Sequence, residues 1–591
     1  MAERDLSFMR TFGYPEKWLE ESSTYGVNDS YLITQPGWSV EPIPPIPEIS
    51  IYEIFAASAR KYPDDVAVIF LDRKITYRDM DDMINRYASL LLDLGVKKGD
   101  VVATMLPNCF QHWIAFFGAN RIGAAHTPLN VMYKDREIAY QIKDSGAKTI
   151  VTYDLFYQLY FAKLRDEIGL KNVIVTHVKD FAAPDTNAEA LGMLKLFWDA
   201  PKQPLPGTVD LFDAIASHQP TQAKVACNPR EDTALILYTS GTTAAEPKGV
   251  IETHFNLVFN ALSHFHMMNA LKKREVNFSI MPMFHTAGYF LHTLPVFYQG
   301  GTVIPIPLFN PDEALRVIST HQVSTIFAPP TLYIALMQHP RISEVDLSSL
   351  ELAVGCGAPV PVSVMQQWEK LTGLRLTNGW GMTETNCGGC MSIPGRKEML
   401  DSIGIPIGCE IKIVDEKGQV VARGQNGEAM VRGFQVAKGY LNKPAQTEAI
   451  FLPDGWMHTG DTMYIDTEDF VHFVDRGKDL IIASGYNIAP AEVENVIYEH
   501  PAVLETAVVG IPHEYRGETV KAFVALKPGF QGKVTEQEII DFCKDKLATF
   551  KVPRYVEFID AVPKNVVGKA LRRVLREQEI EKAKARKEAG N

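Results

Sequence analysis

The sequence predicts an α/β protein. A large N-terminal domain of parallel sheets covered by helices carries a small β-barrel-like subdomain, and a small α+β C-terminal domain follows. Three observations predict this. The chain has 591 residues, more than one core organises, since cores stop growing near ~250–300 residues. From Ile51 onward, short apolar runs alternate with helical periodicity, the pattern of parallel sheets with covering helices. Between residues 411 and 475 the alternation gives way to closely spaced short strands with Gly-containing turns, and beyond Lys478 it returns.

Residues 1–50 end in a Pro-rich stretch, Glu41-Pro-Ile-Pro-Pro-Ile-Pro47, which reads as an extended lead-in. Ile51 to Arg60 has helical apolar spacing, and Tyr77 to Leu94 reads as an amphipathic helix ended by Gly95. Val66–Phe70, Val101–Met105, Thr149–Val151, Val173–Val175, Thr325–Ala328 and Leu352–Val354 read as strands. Residues 51–477 form the first domain, with the barrel-like part at about 405–475. Within it, Ile411–Asp415, Glu428–Arg432 and Asp469–Val474 are strands. Residues 478–591 form the second domain: helix Pro490–Tyr498, strands Glu505–Val509 and Lys521–Leu526, and helix Glu536–Leu547. Arg576–Asn591 reads as a charged helix without an apolar face, expected to fray.

Composition excludes several classes. A net charge of −12 argues against a nucleic-acid binder. No apolar run reaches the ~18 residues of a membrane span, which leaves only peripheral contact with a bilayer open. The N-terminus lacks a basic region followed by an apolar stretch, so the expected location is cytoplasmic. Seven cysteines make no disulfide framework, and Cys387-Gly-Gly-Cys390 stands without a second metal-spaced pair, so it reads as incidental. The stretch Lys551–Arg573 is locally basic, which suits either a phosphate-bearing ligand or a solvated surface.

The densest chemistry lies in Tyr238-Thr-Ser-Gly-Thr-Thr-Ala-Ala-Glu-Pro-Lys-Gly-Val250, directly after the apolar run Thr233-Ala-Leu-Ile-Leu237. Thr239, Ser240, Thr242 and Thr243 flank Gly241, and Lys248 follows. Small hydroxyls, backbone N–H groups and one Lys suit a polyphosphate, although such a stretch alone also reads as an ordinary turn. The spacing does not fit Gly-x-x-x-x-Gly-Lys-Ser/Thr. The stretch resembles the phosphate loop of the acyl-adenylating enzymes, the family of acyl-CoA synthetases, luciferases and peptide-synthetase adenylation domains. It departs from that pattern at Ala244, where relatives have Gly, and by one extra residue before Pro247. Gly reaches positive φ without strain and Ala does not, so the loop tip is expected to be shaped differently.

Further motifs follow in the family's order, and the resemblance covers nearly the whole chain from Ile51. It implies that the turn Gly355-Cys-Gly357-Ala358-Pro359 lies along the adenine ring. In Asn378-Gly-Trp380-Gly381-Met-Thr383-Glu384-Thr385 it implies Trp380 against the adenine face, Thr383 on the α-phosphate and Glu384 on Mg²⁺. Asp461, after an expected tight turn at Gly455–Gly460, would hold the ribose, with Arg476 a second ribose or phosphate contact. Lys478 would be the hinge about which the C-terminal domain rotates. Gly485 would border the channel for the coenzyme A thiol arm, and Lys569 would be the mobile cation on the α-phosphate and carboxylate. His285, in Pro282-Met-Phe-His285-Thr-Ala-Gly-Tyr289, would lie beside the acyl pocket and orient the carboxylate, and Tyr289 falls near an aromatic gate position. Ala287, Gly288, Gly388 and Gly389 suggest room for an extended tail.

The resemblance thus implies an AMP-forming acid–thiol ligase using ATP, Mg²⁺ and coenzyme A on a small-molecule carboxylic acid. A medium- or long-chain fatty acid comes first and an aryl acid of benzoate or cinnamate type second. Two readings of other kinds stay open: an acyl-AMP ligase that loads a carrier protein, and a non-catalytic nucleotide-binding relative. An oligomer is open as well.

Overall fold

The apolar runs become strands of two large sheets. In a computed structural model, Lys17 and residues 46–589 are described apart from 185, 187, 189–190, 192–193, 240–246, 268–273, 291–292, 393–399, 477–478, 484–485, 514–516 and 566–567. One sheet has eight strands, ordered Gly439–Tyr440, Gly249–Thr253, Thr233–Tyr238, Ala125–Pro128, Val101–Met105, Thr149–Tyr153, Asn172–Thr176, Val209–Asp210. It is parallel from Thr233–Tyr238 to the far edge. The other has nine strands; six of them, from Val66–Phe70 through Leu376–Trp380, are parallel, with antiparallel strands at both ends.

Helix Phe110–Arg121 explains how the layers are joined. Eleven of its residues are buried, and they include Trp113, Phe116 and Phe117 as well as Gln111 and His112. A helix buried all round shows no amphipathic period, so sequence periodicity passes over it. Phe55, Tyr77, Phe117 and Phe297 form an aromatic cluster beside it, with three ring centroids 5.2–5.3 Å from Phe55.

The barrel-like part is a four-stranded antiparallel sheet in chain order: Glu410–Val414, Gly427–Arg432, Trp456–Ile465 and Val471–Arg476. The segment expected as a tight turn before Asp461 is the start of the ten-residue strand Trp456–Ile465. The turn residue Gly460 sits at φ +69° inside that strand, which lets the ladder continue past it. In the second domain, Tyr486–Ile488, Ile481–Ala483, Gly517–Leu526 and Val503–His513 form an antiparallel sheet, and Tyr555–Phe558 adds in parallel to Gly517–Leu526.

The final helix differs from expectation. It spans Arg572–Ala589 and docks at its start: Leu575 is buried with Ala507, Val509, Phe523 and Val562, and Glu579 reaches Lys521 at 2.7 Å. The apolar anchor lies one residue before the stretch read as featureless. Among the described residues, no helix is long and apolar enough to cross a membrane.

Arg432 and Glu410 face each other across two strands, both fully buried, with Nε 2.6 Å from Oε2 and the guanidinium 4.5 Å from the Trp456 ring centre. Removing one partner takes the facing opposite charge from a group that stays buried. Arg432→Leu should therefore destabilise the protein by about 3–5 kcal/mol, while Arg432→Leu with Glu410→Leu should recover most of that loss. Chemical denaturation of the three proteins checks it.

Candidate active site

The candidate residues gather at the carboxyl ends of parallel strands, the usual ligand position in open α/β sheets. Strand Thr233–Tyr238 runs into the phosphate loop, Leu352–Gly355 into the Gly357–Pro359 turn, and Leu376–Trp380 into Gly381–Glu384. The neighbouring strand Thr325–Ala328 leads into Pro329 and Thr331.

The loop has a firm base. The Thr239 N–H donates to the Lys248 carbonyl at 3.0 Å. Tyr238 Oη donates to Asp144 at 2.7 Å, and Tyr140 Oη donates to the Pro247 carbonyl at 2.9 Å. Ser240, Gly241, Thr242, Thr243 and Ala244 lie outside the described residues, as do Lys478 and Gly485, expected as hinge and thiol-channel residues.

Thr383–Thr385 is a single turn closed by Asn386 in the left-handed region. It carries Glu384 inward, where the carboxylate accepts a hydrogen bond from Tyr440 Oη at 2.8 Å. Thr383 opens the turn, half-buried. Lys248 Nζ lies 4.5 Å from the Tyr440 ring centre. A second buried carboxylate, Glu252, stands close by. With its nitrogen turned inward, the Asn386 amide donates to both Glu252 oxygens. Burial, then the charge of Glu384, pushes the Glu252 carboxyl well above the usual range, while the amide hydrogen bonds from Asn386 oppose that rise.

Asp461 is 5% exposed and sits opposite Arg476 in the antiparallel ladder. The Trp380 indole N–H donates to Asp461 Oδ2 at 2.9 Å, and Arg476 Nε lies 3.7 Å from Oδ1. Burial raises the Asp461 pKa, while Arg476 and the indole oppose that rise. Gly381 is required by packing: a Cβ there would lie 2.1 Å from the Cys387 carbonyl oxygen.

Lys569 ends a tight turn in which the Lys569 N–H donates to Asn565 Oδ1 at 2.9 Å. Gly568, at φ +77°, presses on the first domain: a Cβ would meet Pro329 Cγ at 2.9 Å and Thr331 Oγ1 at 3.0 Å. Burial first, then Arg476, lowers the Lys569 pKa to about 8. His285 feels that same lysine; burial and the Lys569 charge lower it to about 4, so the imidazole is neutral near pH 7. The Ala287 N–H donates to His285 Nδ1 at 3.3 Å, which leaves the ring proton on Nε2 as a donor.

Sequence reading missed the residues that hold these in place. Arg572 Nη1 lies 3.1 Å from Asp475 Oδ1 and its Nη2 lies 2.7 Å from Glu494, tying the Lys569 segment to the strand before the hinge. Tyr440, Glu252 and Asn386 were passed over too. The one available signal was an acid, Glu252, inside the otherwise apolar run Gly249-Val-Ile-Glu-Thr253. The small residues near His285 do not open space as expected. A Cβ on Gly288 would lie 2.3 Å from the Pro282 carbonyl oxygen, and one on Gly388 would lie 2.2 Å from Asn260 Oδ1. Tyr289 is fully buried, 2.5 Å from His112 Nε2.

Among the described residues, no group of three or more His, Cys, Asp or Glu is placed to hold a metal ion. Glu384 supplies a buried hard oxygen donor with Glu252 close by, the donor type that fits a cation shared with phosphate oxygens.

Comparison with known proteins points the same way. The family model described as AMP-binding enzyme matches residues 55–441, and its C-terminal domain model matches residues 492–569. A long-chain-fatty-acid–CoA ligase of Bacillus subtilis (strain 168) is 36% identical over 544 residues, covering 91% of this chain and 96% of its own. Among solved structures, the anthranilate CoA ligase AuaEII in complex with anthranoyl-AMP superimposes with a TM-score of 0.79 at 26% identity, covering 90% of this chain and 97% of its own. ATP-bound MatB from Rhodopseudomonas palustris gives 0.77 at 29%, covering 90% and 99%.

The pH dependence follows from Lys569. Below about pH 8 the amine is protonated and supplies its charge; above it the charge is lost. The free-enzyme profile, kcat/KM for ATP, should therefore fall as pH rises through about 8. Lys569→Arg, whose guanidinium stays charged, should lose that limb while keeping part of the activity. A pyrophosphate-release assay from pH 6.5 to 9.5 checks it.

Proposed function

This chain belongs to the AMP-binding enzyme family and is an AMP-forming acid–CoA ligase, and we propose that its acid is a medium- or long-chain fatty acid. The observation that carries the reading is that two linked sets meet on the short segment of residues 380–384: Lys248 and Glu384 about the Tyr440 ring, and Asp461 with Arg476 at the Trp380 indole, where the Lys569 charge is also felt. The fatty-acid class is supported by the 36% identity to a long-chain-fatty-acid–CoA ligase over nearly its whole length.

A carboxylate does not acylate a thiol near neutral pH, because oxide is a poor leaving group. The carboxylate oxygen instead attacks the α-phosphorus of ATP, the bond to the bridging oxygen breaks, and pyrophosphate leaves. The coenzyme A thiol then attacks the acyl carbon, loses its proton, and displaces AMP.

In this reading Thr239 to Thr243 and Lys248 hold the β- and γ-phosphates, and Thr383 holds the α-phosphate. Gly357, Ala358, Pro359 and Trp380 line the adenine, while Asp461 accepts the ribose hydroxyls. Glu384 would hold Mg²⁺, which neutralises phosphate charge when bound. His285 Nε2–H orients the carboxylate. Lys569 offsets the charge that builds between carboxylate and α-phosphate, a role worth several kcal/mol when the cation is pre-placed. Rotation about Lys478 then withdraws Lys569 and brings the Gly485 loop to the thiol arm.

An aryl acid is the second reading. The close packing at Gly288 and Gly388 favours a compact acid, and one structural neighbour is an anthranilate CoA ligase.

Pyrophosphate release from ATP and Mg²⁺, measured over acids of graded length with and without coenzyme A, tests the reading. Release with a fatty acid and AMP turnover that needs coenzyme A are expected. No release with any acid overturns it. Lys569→Ala should lower adenylation by at least about 100-fold. The same variant should largely spare thioester formation from a supplied acyl adenylate, and equal losses in the two half-reactions would refute that division of labour.

A further inference from the structure

Two groups of opposite charge, Lys248 and Glu384, share one uncharged neighbour. The Tyr440 hydroxyl donates to Glu384 Oε1 at 2.8 Å, while the Tyr440 ring lies under Lys248 Nζ at 4.5 Å. A buried carboxylate and an ammonium set on the same ring attract each other, and an ion pair between them would withdraw both from an arriving nucleotide. A phenol resolves the conflict. Its O–H satisfies the carboxylate and its π face satisfies the ammonium, so neither charge is neutralised.

The fold holds this ring firmly. Gly439–Tyr440 is a two-residue strand paired antiparallel with Gly249–Thr253, with Tyr440 opposite Val250. The flanking Lys438 and Leu441 N–H groups donate to the Ile251 and Gly249 carbonyls at 2.9 and 2.7 Å. The Tyr440 N–H donates to Thr447 Oγ1 at 2.9 Å, and Phe451 meets the ring edge-on, 5.3 Å between centres. Gly439 is at φ +141°, and a Cβ there would lie 2.5 Å from Thr447 Cγ2. The Ala437 N–H holds the Glu384 carbonyl at 2.9 Å, so the same segment fixes both backbone and carboxylate of Glu384.

We propose that Tyr440 is a positioning residue for the metal–nucleotide complex: its hydroxyl fixes the Glu384 carboxylate and its ring holds Lys248 apart from that carboxylate. The proposal rests on the ligase reading above. Tyr440→Phe removes the hydroxyl alone; Tyr440→Leu removes hydroxyl and ring.

The test is equilibrium binding of ATP to the full chain, by displacement of a fluorescent ATP analogue, with Mg²⁺ or with EDTA. A hydrogen bond to a charged group is lost in Tyr440→Phe, so the gain in ATP affinity that Mg²⁺ provides should shrink by about 3- to 10-fold. Tyr440→Leu should also weaken ATP binding in EDTA, because Lys248 then swings to Glu384. In a Glu384→Gln background, Tyr440→Phe should have little further effect on the Mg²⁺-dependent gain. Thermal melting of each variant identifies a merely structural role. The proposal is overturned if Tyr440→Phe retains the full Mg²⁺ gain, if it lowers binding equally with and without Mg²⁺, or if its effect persists undiminished in the Glu384→Gln background. A wild-type chain that releases no pyrophosphate with any acid overturns the ligase reading itself, and this role with it.

Discussion

Holding buried charge without neutralising it is the constraint on which the cleft depends, and the Asp461–Arg476 pairing shows it most directly. A carboxylate out of water is costly unless hydrogen bonds and a nearby cation offset the loss of hydration. Asp461 receives the Trp380 indole N–H, and Arg476 stands 3.7 Å away, close enough to lower its pKa without a tight bidentate contact. The pair is set by strand register, since Asp461 and Arg476 face each other in the ladder of Trp456–Ile465 with Val471–Arg476. Slipping that register by one residue would turn both side chains to the other face of the sheet. The small antiparallel sheet is therefore part of the active cleft rather than an appendage to it.

The same sheet anchors the second domain. Asp475, next to Arg476, receives the Ala491 N–H at 3.2 Å and faces the Arg572 guanidinium. Arg572 lies three residues after Lys569 and also reaches Glu494. The strand that sets Arg476 opposite Asp461 thus also places the segment carrying Lys569. Gly568 completes the approach by letting that segment lie against Pro329 and Thr331, where any Cβ would intrude. Proximity to Arg476 then contributes to the lowered pKa of Lys569. The lysine is brought in as a charge that its surroundings do not fully stabilise, a state that an incoming polyphosphate relieves.

Much of the fold was legible, because strands such as Val101–Met105 and Thr325–Ala328 are apolar runs bounded by turn residues. What escaped has a common physical cause. Helix Phe110–Arg121 lies between layers and is buried on every side, so it has no polar stripe. Strand Trp456–Ile465 contains Gly460 and alternates polar with apolar residues irregularly, so its first half reads as a turn. Motif reading singles out short dense segments such as residues 378–385. It passed over Tyr440 and Arg572, whose partners are 56 and 78 residues away or more in sequence. It also took Gly288 and Gly388 as open space, whereas each lets another group approach closely. A glycine in a sequence signals a missing side chain, and only the fold says whether the vacated volume is filled.

Glu252 carries the argument about charge one step further. Its strand leaves the phosphate loop directly, so its carboxyl is fixed near Glu384 by the same backbone that positions Lys248. Two ionised carboxylates at this depth would repel each other strongly, and one proton removes the conflict. Burial and the Glu384 charge both favour keeping that proton on Glu252. Asn386, in the turn that carries Glu384, donates to Glu252 and takes back part of the rise in its pKa. Tyr440 donates to Glu384 and lies under Lys248, so each of the two carboxylates has its own neutral donor and neither needs the lysine as its partner.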